Sequence, residues 1–208
     1  MEYVELYQFA QNIITERSEA GKSLAIVPVS SLKDELIRRI GWLADINFHP
    51  VETKDGDPLG HYECYSDTDS RWDDPDAWVV LITYDATKLN ICKQRFVWCK
   101  ELMHIFDTED GSVKTADEYR GLLTEIELKP IDPSEAYLSE NMAKWMALLI
   151  LCPKQQRDEM MGRAAAEGLT DYDVALHFRI PEVIVSSLFS TYYDKYYERF
   201  VGSAARAA

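Results

Sequence analysis

The sequence predicts an α+β fold, in which a small, mostly antiparallel sheet is flanked by helices. Apolar residues recur at helical spacing before residue 41 and again from about residue 95, while residues 42–85 have the composition of strands and turns. The chain has 208 residues, of which 47% are hydrophobic and 12% aromatic, so it can bury a core. That composition excludes a disordered protein.

Two helices are predicted in the first forty residues. Apolar residues between Val4 and Ile14 share one face of the first helix. In the second, Ser31 is a favourable N-cap, an apolar stripe begins at Leu32, and Gly41 marks the end.

Three segments predict the strands, because β-branched and aromatic residues dominate them: 42–48, 61–65 and 78–84. Turn-forming residues lie between these segments, at 55–58 and 66–69. Short strands separated by such turns predict the small, mostly antiparallel sheet.

Further helices are predicted over residues 95–106, over 134–152 with its end at Pro153, and from there to about Glu167, where Gly168 is the stop. Two more helical segments follow between residues 170 and 200. The second half of the chain is therefore expected to be helical.

The formal net charge is −14, with 36 acidic and 22 basic residues. A field of that sign repels phosphate backbones, which argues against direct nucleic-acid binding and favours a basic protein partner. The longest apolar run, residues 145–152, is too short to cross a bilayer, and the start of the chain does not have the pattern of a signal peptide. The four cysteines show no CxxC spacing and are interpreted as reduced thiols. We therefore expect a cytoplasmic protein that does not enter a membrane.

One short motif carries the chemistry, Lys100-Glu101-Leu102-Met103-His104. Zinc peptidases place histidines at i and i+4 of a helix, because that spacing directs both toward one metal ion. The glutamate after the first histidine then acts as general base on the metal-bound water. In this chain a lysine stands at the first of the two histidine positions.

The residues around this motif resemble a known family. The segment 95–104, RFVWCKELMH, resembles the RFTLAHELGH signature of the ImmA/IrrE metallo-endopeptidases, with Arg95 and Phe96 among the matching letters. The segment 140–153 resembles the E-x-x-A-N-x-F-A-x-x-L-L-x-P helix of the same family, with Glu140, Ala143 and Pro153 in register. A weaker resemblance covers residues 173–188, which are similar to the family's helix-turn-helix-like tail.

The resemblance implies a zincin-like metallopeptidase domain over residues 1–160, with a helical, helix-turn-helix-like extension over residues 161–208 packed on it. It also implies that Glu101 is the catalytic base and that His104 and Glu140 are zinc ligands. Whether the chain is an enzyme depends on Lys100, because the resemblance places the first zinc-ligand histidine at that position.

Lysine is a poor zinc ligand at neutral pH, since its amine stays protonated and repels the cation. We therefore expect that no metal is bound, and that zinc is the metal if one is. A more specific hypothesis is that the ammonium of Lys100 replaces the charge of the metal between Glu101, Glu140 and His104.

Three functions follow as alternatives. The first is a metal-free, catalytically impaired protein that binds a protein partner, such as a helix-turn-helix transcriptional repressor. The second is an active zinc endopeptidase that cleaves such a repressor with an atypical site, in which Glu101 becomes a ligand. The third is an accessory protein of a phage or mobile element with an unrelated partner.

Overall fold

The computed structural model describes residues 1–21, 26–54, 58–66, 78–107, 118, 121–122, 124–126 and 132–202. Within these residues the chain is an α+β protein, as the sequence predicts. The α-helices are α1 (Tyr3–Glu19), α2 (Val29–Arg39), α3 (Ile91–Met103), α4 (Glu135–Leu151), α5 (Lys154–Glu167), α6 (Asp171–Phe178), α7 (Val185–Leu188) and α8 (Thr191–Tyr197). The strands are β1 (Leu43–Val51), β2 (Gly60–Ser66) and β3 (Trp78–Asp85).

The sheet has the strand order β1–β3–β2. β2 pairs antiparallel with β3, from Gly60 opposite Tyr84 to Ser66 opposite Trp78. β1, however, pairs parallel with β3, so the prediction of a mostly antiparallel sheet is wrong and the described sheet is mixed. Parallel pairing needs a long crossover, and the chain between β1 and β3 supplies one that includes β2 at the opposite edge.

The two N-terminal helices are confirmed. The buried face of α1 includes Leu6, Ala10 and Ile14. α2 begins at Val29, with Pro28 rather than Ser31 in the N-cap position. Proline suits the start of a helix because its missing N–H would have had no partner inside the helix.

The central frame of the fold consists of α3, α4 and the sheet. At the start of α3 the side chain of Asn90 accepts a hydrogen bond from the backbone N–H of Lys93, and at the start of α4 Ser134 caps Tyr137 in the same way. On the sheet side of α3, the ring of Trp98 lies 5.4 Å from that of Phe48. The other side of α3 packs against α4, where Cys99 and Ala147 are both buried.

The C-terminal helices pack on α4 and α5. The hydroxyl of Tyr193 donates a 2.6 Å hydrogen bond to the carbonyl of Cys152, and Arg157 donates one to the carbonyl of Leu188. The boundary expected between residues 160 and 161 falls inside α5, and residues 203–208 of the expected extension lie outside the described residues. None of the described helices combines the length and the apolar character needed to cross a membrane.

Candidate functional site

The motif residues meet where the C-terminal end of α3 faces α4. Lys100 and Glu101 lie in the last turn of α3, and His104 is its C-cap and the first residue of the 3₁₀ turn His104–Phe106. Glu140 reaches the same place from α4. The structure therefore brings together all four side chains that the sequence singles out, and we call them the Lys100 cluster.

Lys100 is the cation at the centre of this cluster. Its Nζ donates a 2.7 Å hydrogen bond to Oε2 of Glu140 and lies 3.0 Å from Oε1 of Glu101. The side chain of Lys100 is only 18% exposed, so water solvates its charge poorly and the carboxylates stabilise it instead. This confirms the expectation that Lys100 points to the carboxylates rather than to solvent.

The two ring nitrogens of His104 also face carboxylates. Nδ1 lies 2.6 Å from Oδ2 of Asp107. Nε2 lies 3.4 Å from Oε1 of Glu140 and 3.7 Å from Oε2 of Glu101. Because both nitrogens have acceptors as neighbours, the surroundings favour the doubly protonated imidazolium.

Sequence reasoning missed three residues that hold His104 in place: Asp107, Ser139 and Tyr62. Ser139 Oγ donates a short hydrogen bond to Oδ2 of Asp107 and lies 3.3 Å from Nδ1 of His104. The ring of Tyr62 on β2 covers His104, with 5.9 Å between the ring centroids. The available signals were the i+3 spacing of Asp107 from His104 and the position of Ser139 next to Glu140.

The charges of the cluster shift its pKa values. Burial lowers the pKa of Lys100, but the carboxylates of Glu101 and Glu140 outweigh burial and hold the pKa above its ordinary value. Burial likewise opposes the charged form of Glu140, yet the charge of Lys100 and the hydrogen bond from His104 bring that pKa well below its usual range. For His104, burial is outweighed by the hydrogen bonds to Asp107 and Glu140, which raise the pKa to about 9. At pH 7 the cluster therefore holds two cations.

Glu101 is the most deeply buried member of the cluster, with its side chain 3% exposed. Gly60 of β2 lies directly against it, since a Cβ at residue 60 would be 2.8 Å from Oε1 of Glu101 and 2.3 Å from Cγ1 of Val97. Among the described residues, Oε1 accepts no hydrogen bond, so the ion pair with Lys100 is its main stabilising contact. This carboxylate is therefore enclosed between the helix and the strand.

The other four residues of the matching segments stabilise the fold and lie outside the cluster. The guanidinium of Arg95 is buried and donates to the carbonyls of Phe178, Arg179 and Val27, at 2.8, 3.0 and 2.9 Å. Phe96 is in the hydrophobic core. Ala143 is also buried in the core, and Pro153 is the N-cap of α5. None of these four residues belongs to the Lys100 cluster.

The side chains present do not fit a resident zinc ion. Zinc would need neutral nitrogen or anionic donors directed at one point. Here an ammonium lies between the two carboxylates, and both nitrogens of His104 are turned to acidic groups. In the part of the chain that the structure describes, no three His, Cys, Asp or Glu side chains are arranged to hold a metal ion.

Comparison with known proteins does not assign this chain to a family. No family model matches this chain, and no curated protein matches it at significant similarity.

Proposed function

We propose that this protein is a metal-independent, non-hydrolytic binding protein whose zincin-like site has been converted into an ion-pair cluster, and that it acts by binding a protein partner. The single observation that carries the proposal is the position of Lys100, whose ammonium contacts both Glu101 and Glu140. It stands where the ImmA/IrrE signature has the first zinc ligand.

The electrostatics of Lys100 support this proposal. To ligate zinc, the amine must first lose its proton. The neighbouring carboxylates raise its pKa, which makes that loss harder than for a free lysine. A metal ion bound by the same carboxylates would also lie beside the positive charge of Lys100, which would repel it.

The charge of the chain supports a basic protein as the partner. The net charge is −14, so a basic DNA-binding protein such as a helix-turn-helix repressor would be attracted over a distance of about 10 Å at moderate salt. Catalysis is not needed for this role, because a binding protein can block the DNA-binding surface of a repressor by occupying it.

Metal content tests the first half of the proposal. The protein is purified with zinc, dialysed, and measured for bound metal by elemental mass spectrometry. We expect no stoichiometric zinc in the natural chain and near-stoichiometric zinc in Lys100→His, which restores the second imidazole. Lys93→His, an exposed position on the same helix, is the matched control and should gain no zinc. One zinc ion per natural chain would overturn the proposal.

Binding without cleavage tests the second half. A purified helix-turn-helix repressor from the same genome is mixed with the protein in the presence of zinc. We expect a complex in size-exclusion chromatography and an intact repressor in mass spectrometry. Cleavage of the repressor by the natural chain would instead identify an active endopeptidase.

A further inference from the structure

A second surface, separate from the Lys100 cluster, lies along α4, α8 and the π-helical turn Glu198–Gly202 that follows α8. It combines stacked aromatic rings with basic side chains. We call it the aromatic–cation strip, and its members are Lys144, Trp145, Tyr192, Lys195, Tyr196, Arg199 and Phe200.

Three rings of the strip form a continuous stack. Trp145 and Tyr196 are stacked with centroids 4.7 Å apart and an interplanar angle of 16°. Tyr196 stacks in turn on Phe200, at 5.8 Å and 20°. The hydroxyl of Tyr196 also accepts a 2.6 Å hydrogen bond from the side-chain amide of Asn141. The strip is therefore an ordered surface and not a set of independent side chains.

A cation lies over three of the rings. Lys195 Nζ is 5.0 Å from the ring centre of Tyr192, and the guanidinium of Arg199 is 5.6 Å from that of Phe200. Lys144 Nζ lies 5.6 Å from the ring centre of Trp145. Contact with the rings restricts these long side chains, which lowers the conformational entropy that a partner would have to remove.

Lys195 and Arg199 are exposed. Asp194, which precedes Lys195, pairs with Lys154 and Arg157 instead. Among the described residues, neither Lys195 nor Arg199 forms an ion pair, whereas Lys154 and Arg163 each pair with carboxylates. Lys195 and Arg199 are four residues apart and share one face, where each can pair with a carboxylate of a binding partner.

Apolar side chains border these cations. Tyr192 is 57% exposed and Leu138 on α4 is 37% exposed. Met142, one turn after Leu138, is contacted by the guanidinium of Arg199 at 3.8 Å through its sulfur. The strip thus offers two exposed cations beside apolar side chains, an arrangement complementary to a helix with acidic and apolar residues on adjacent faces.

We propose that the aromatic–cation strip is a docking surface for an acidic, amphipathic helical segment of a protein partner. Carboxylates of the segment pair with Lys195 and Arg199, and its apolar residues cover Tyr192 and Leu138. Single-stranded nucleic acid fits less well, because base stacking needs free ring faces. Trp145 is only 6% exposed, Tyr196 lies between two rings, and Lys195 covers a face of Tyr192.

Fluorescence anisotropy tests this proposal with the full chain. The probe is a fluorescein-labelled peptide helix that carries glutamates at i and i+4 and leucines on the adjoining stripe. We expect saturable, salt-sensitive binding to the natural protein, and a Kd that rises roughly tenfold in Lys195→Glu or Arg199→Glu. Lys93→Glu changes the net charge by the same amount at an exposed position outside the strip, and its Kd should change by less than about twofold.

Three results would overturn the proposal: no binding of the peptide at low salt, an equal loss of binding in Lys93→Glu, or tighter binding of an oligo-dT strand than of the peptide. Lys195→Gln removes the charge without reversing it, and it tests the same contact if a reversed charge disturbs α8. The metal content of these variants should match that of the natural chain, which keeps this test independent of the Lys100 cluster.

Discussion

Two cations on α3, five residues apart, have opposite surroundings: Arg95 is buried and Lys100 is 18% exposed. Arg95 donates only to neutral carbonyl groups, and in the described part of the chain no carboxylate pairs with it. Lys100 contacts two carboxylates. Burial accordingly lowers the pKa of Arg95, whereas the pKa of Lys100 is held above its ordinary value.

The different partners give the two cations different roles: Arg95 connects parts of the fold, and Lys100 neutralises carboxylates. The three carbonyls bound by Arg95 belong to Val27, before α2, and to Phe178 and Arg179, at the end of α6, so this side chain joins three distant parts of the fold. In the described part of the chain Lys100 joins α3 to α4, and its main effect is to balance acidic groups. The sequence resemblance includes both positions, but only the second lies in the candidate site.

The largest effect is expected for Arg95→Met. Three buried carbonyls lose a charged donor, and each unsatisfied group costs about 1–3 kcal/mol, so the free energy of unfolding should fall by roughly 3–9 kcal/mol. Urea denaturation followed by circular dichroism measures this change. Arg163→Met is the control, since Arg163 is 52% exposed and its pair with Glu167 should contribute less than about 1 kcal/mol. An equal decrease in the free energy of unfolding in both variants would contradict the structural role assigned to Arg95.

Lys100→Met should lower the free energy of unfolding by about 3–5 kcal/mol near neutral pH, because it leaves buried carboxylates without their counterion. This loss should shrink when the pH is lowered from about 8 to about 5, since Glu140 can then take up a proton. Adding Glu140→Gln should recover part of the stability in the same urea experiment.

Acidification should not rescue Arg95→Met, because no carboxylate among the described residues pairs with Arg95. That contrast is the sharpest test of the comparison. If both variants respond to pH in the same way, Lys100 does not have a distinct charge-balancing role.

The pH dependence of the natural protein should be the smallest of these effects. The pKa of His104 is raised from 6.5 to about 9 in the folded state, so its imidazolium stabilises the fold fully below about pH 6.5. That contribution, about 3 kcal/mol, is lost as the pH rises to about 9. Thermal unfolding across this range measures it. His104→Asn should remove most of the slope, and an unchanged slope would assign the titration to another group.

The candidate site was predictable to the extent that helix geometry defines it. The i, i+4 spacing puts Lys100 and His104 on one face, and the second matching segment identifies Glu140 as its neighbour. Asp107 and Ser139 were not predicted, because their hydrogen bonds depend on how α4 docks against the end of α3.

The fold was predictable as a class but not as a topology. Helix positions follow from periodicity and capping residues, and α4 begins and ends within a residue of its predicted bounds. The parallel pairing of β1 with β3 was missed, since alternation of apolar and polar residues is the same for both strand directions.

The close approach of Gly60 to α3 has an evolutionary consequence. Any side chain at residue 60 would collide with Val97 and Glu101 unless the strand moved away or the residue at 97 became smaller. Homologous chains are therefore expected to show paired substitutions at positions 60 and 97, with glycine at 60 wherever a branched residue occupies 97. A lineage that enlarges residue 60 without this compensation would open the sheet from the helix and admit water to the carboxylate that is now enclosed.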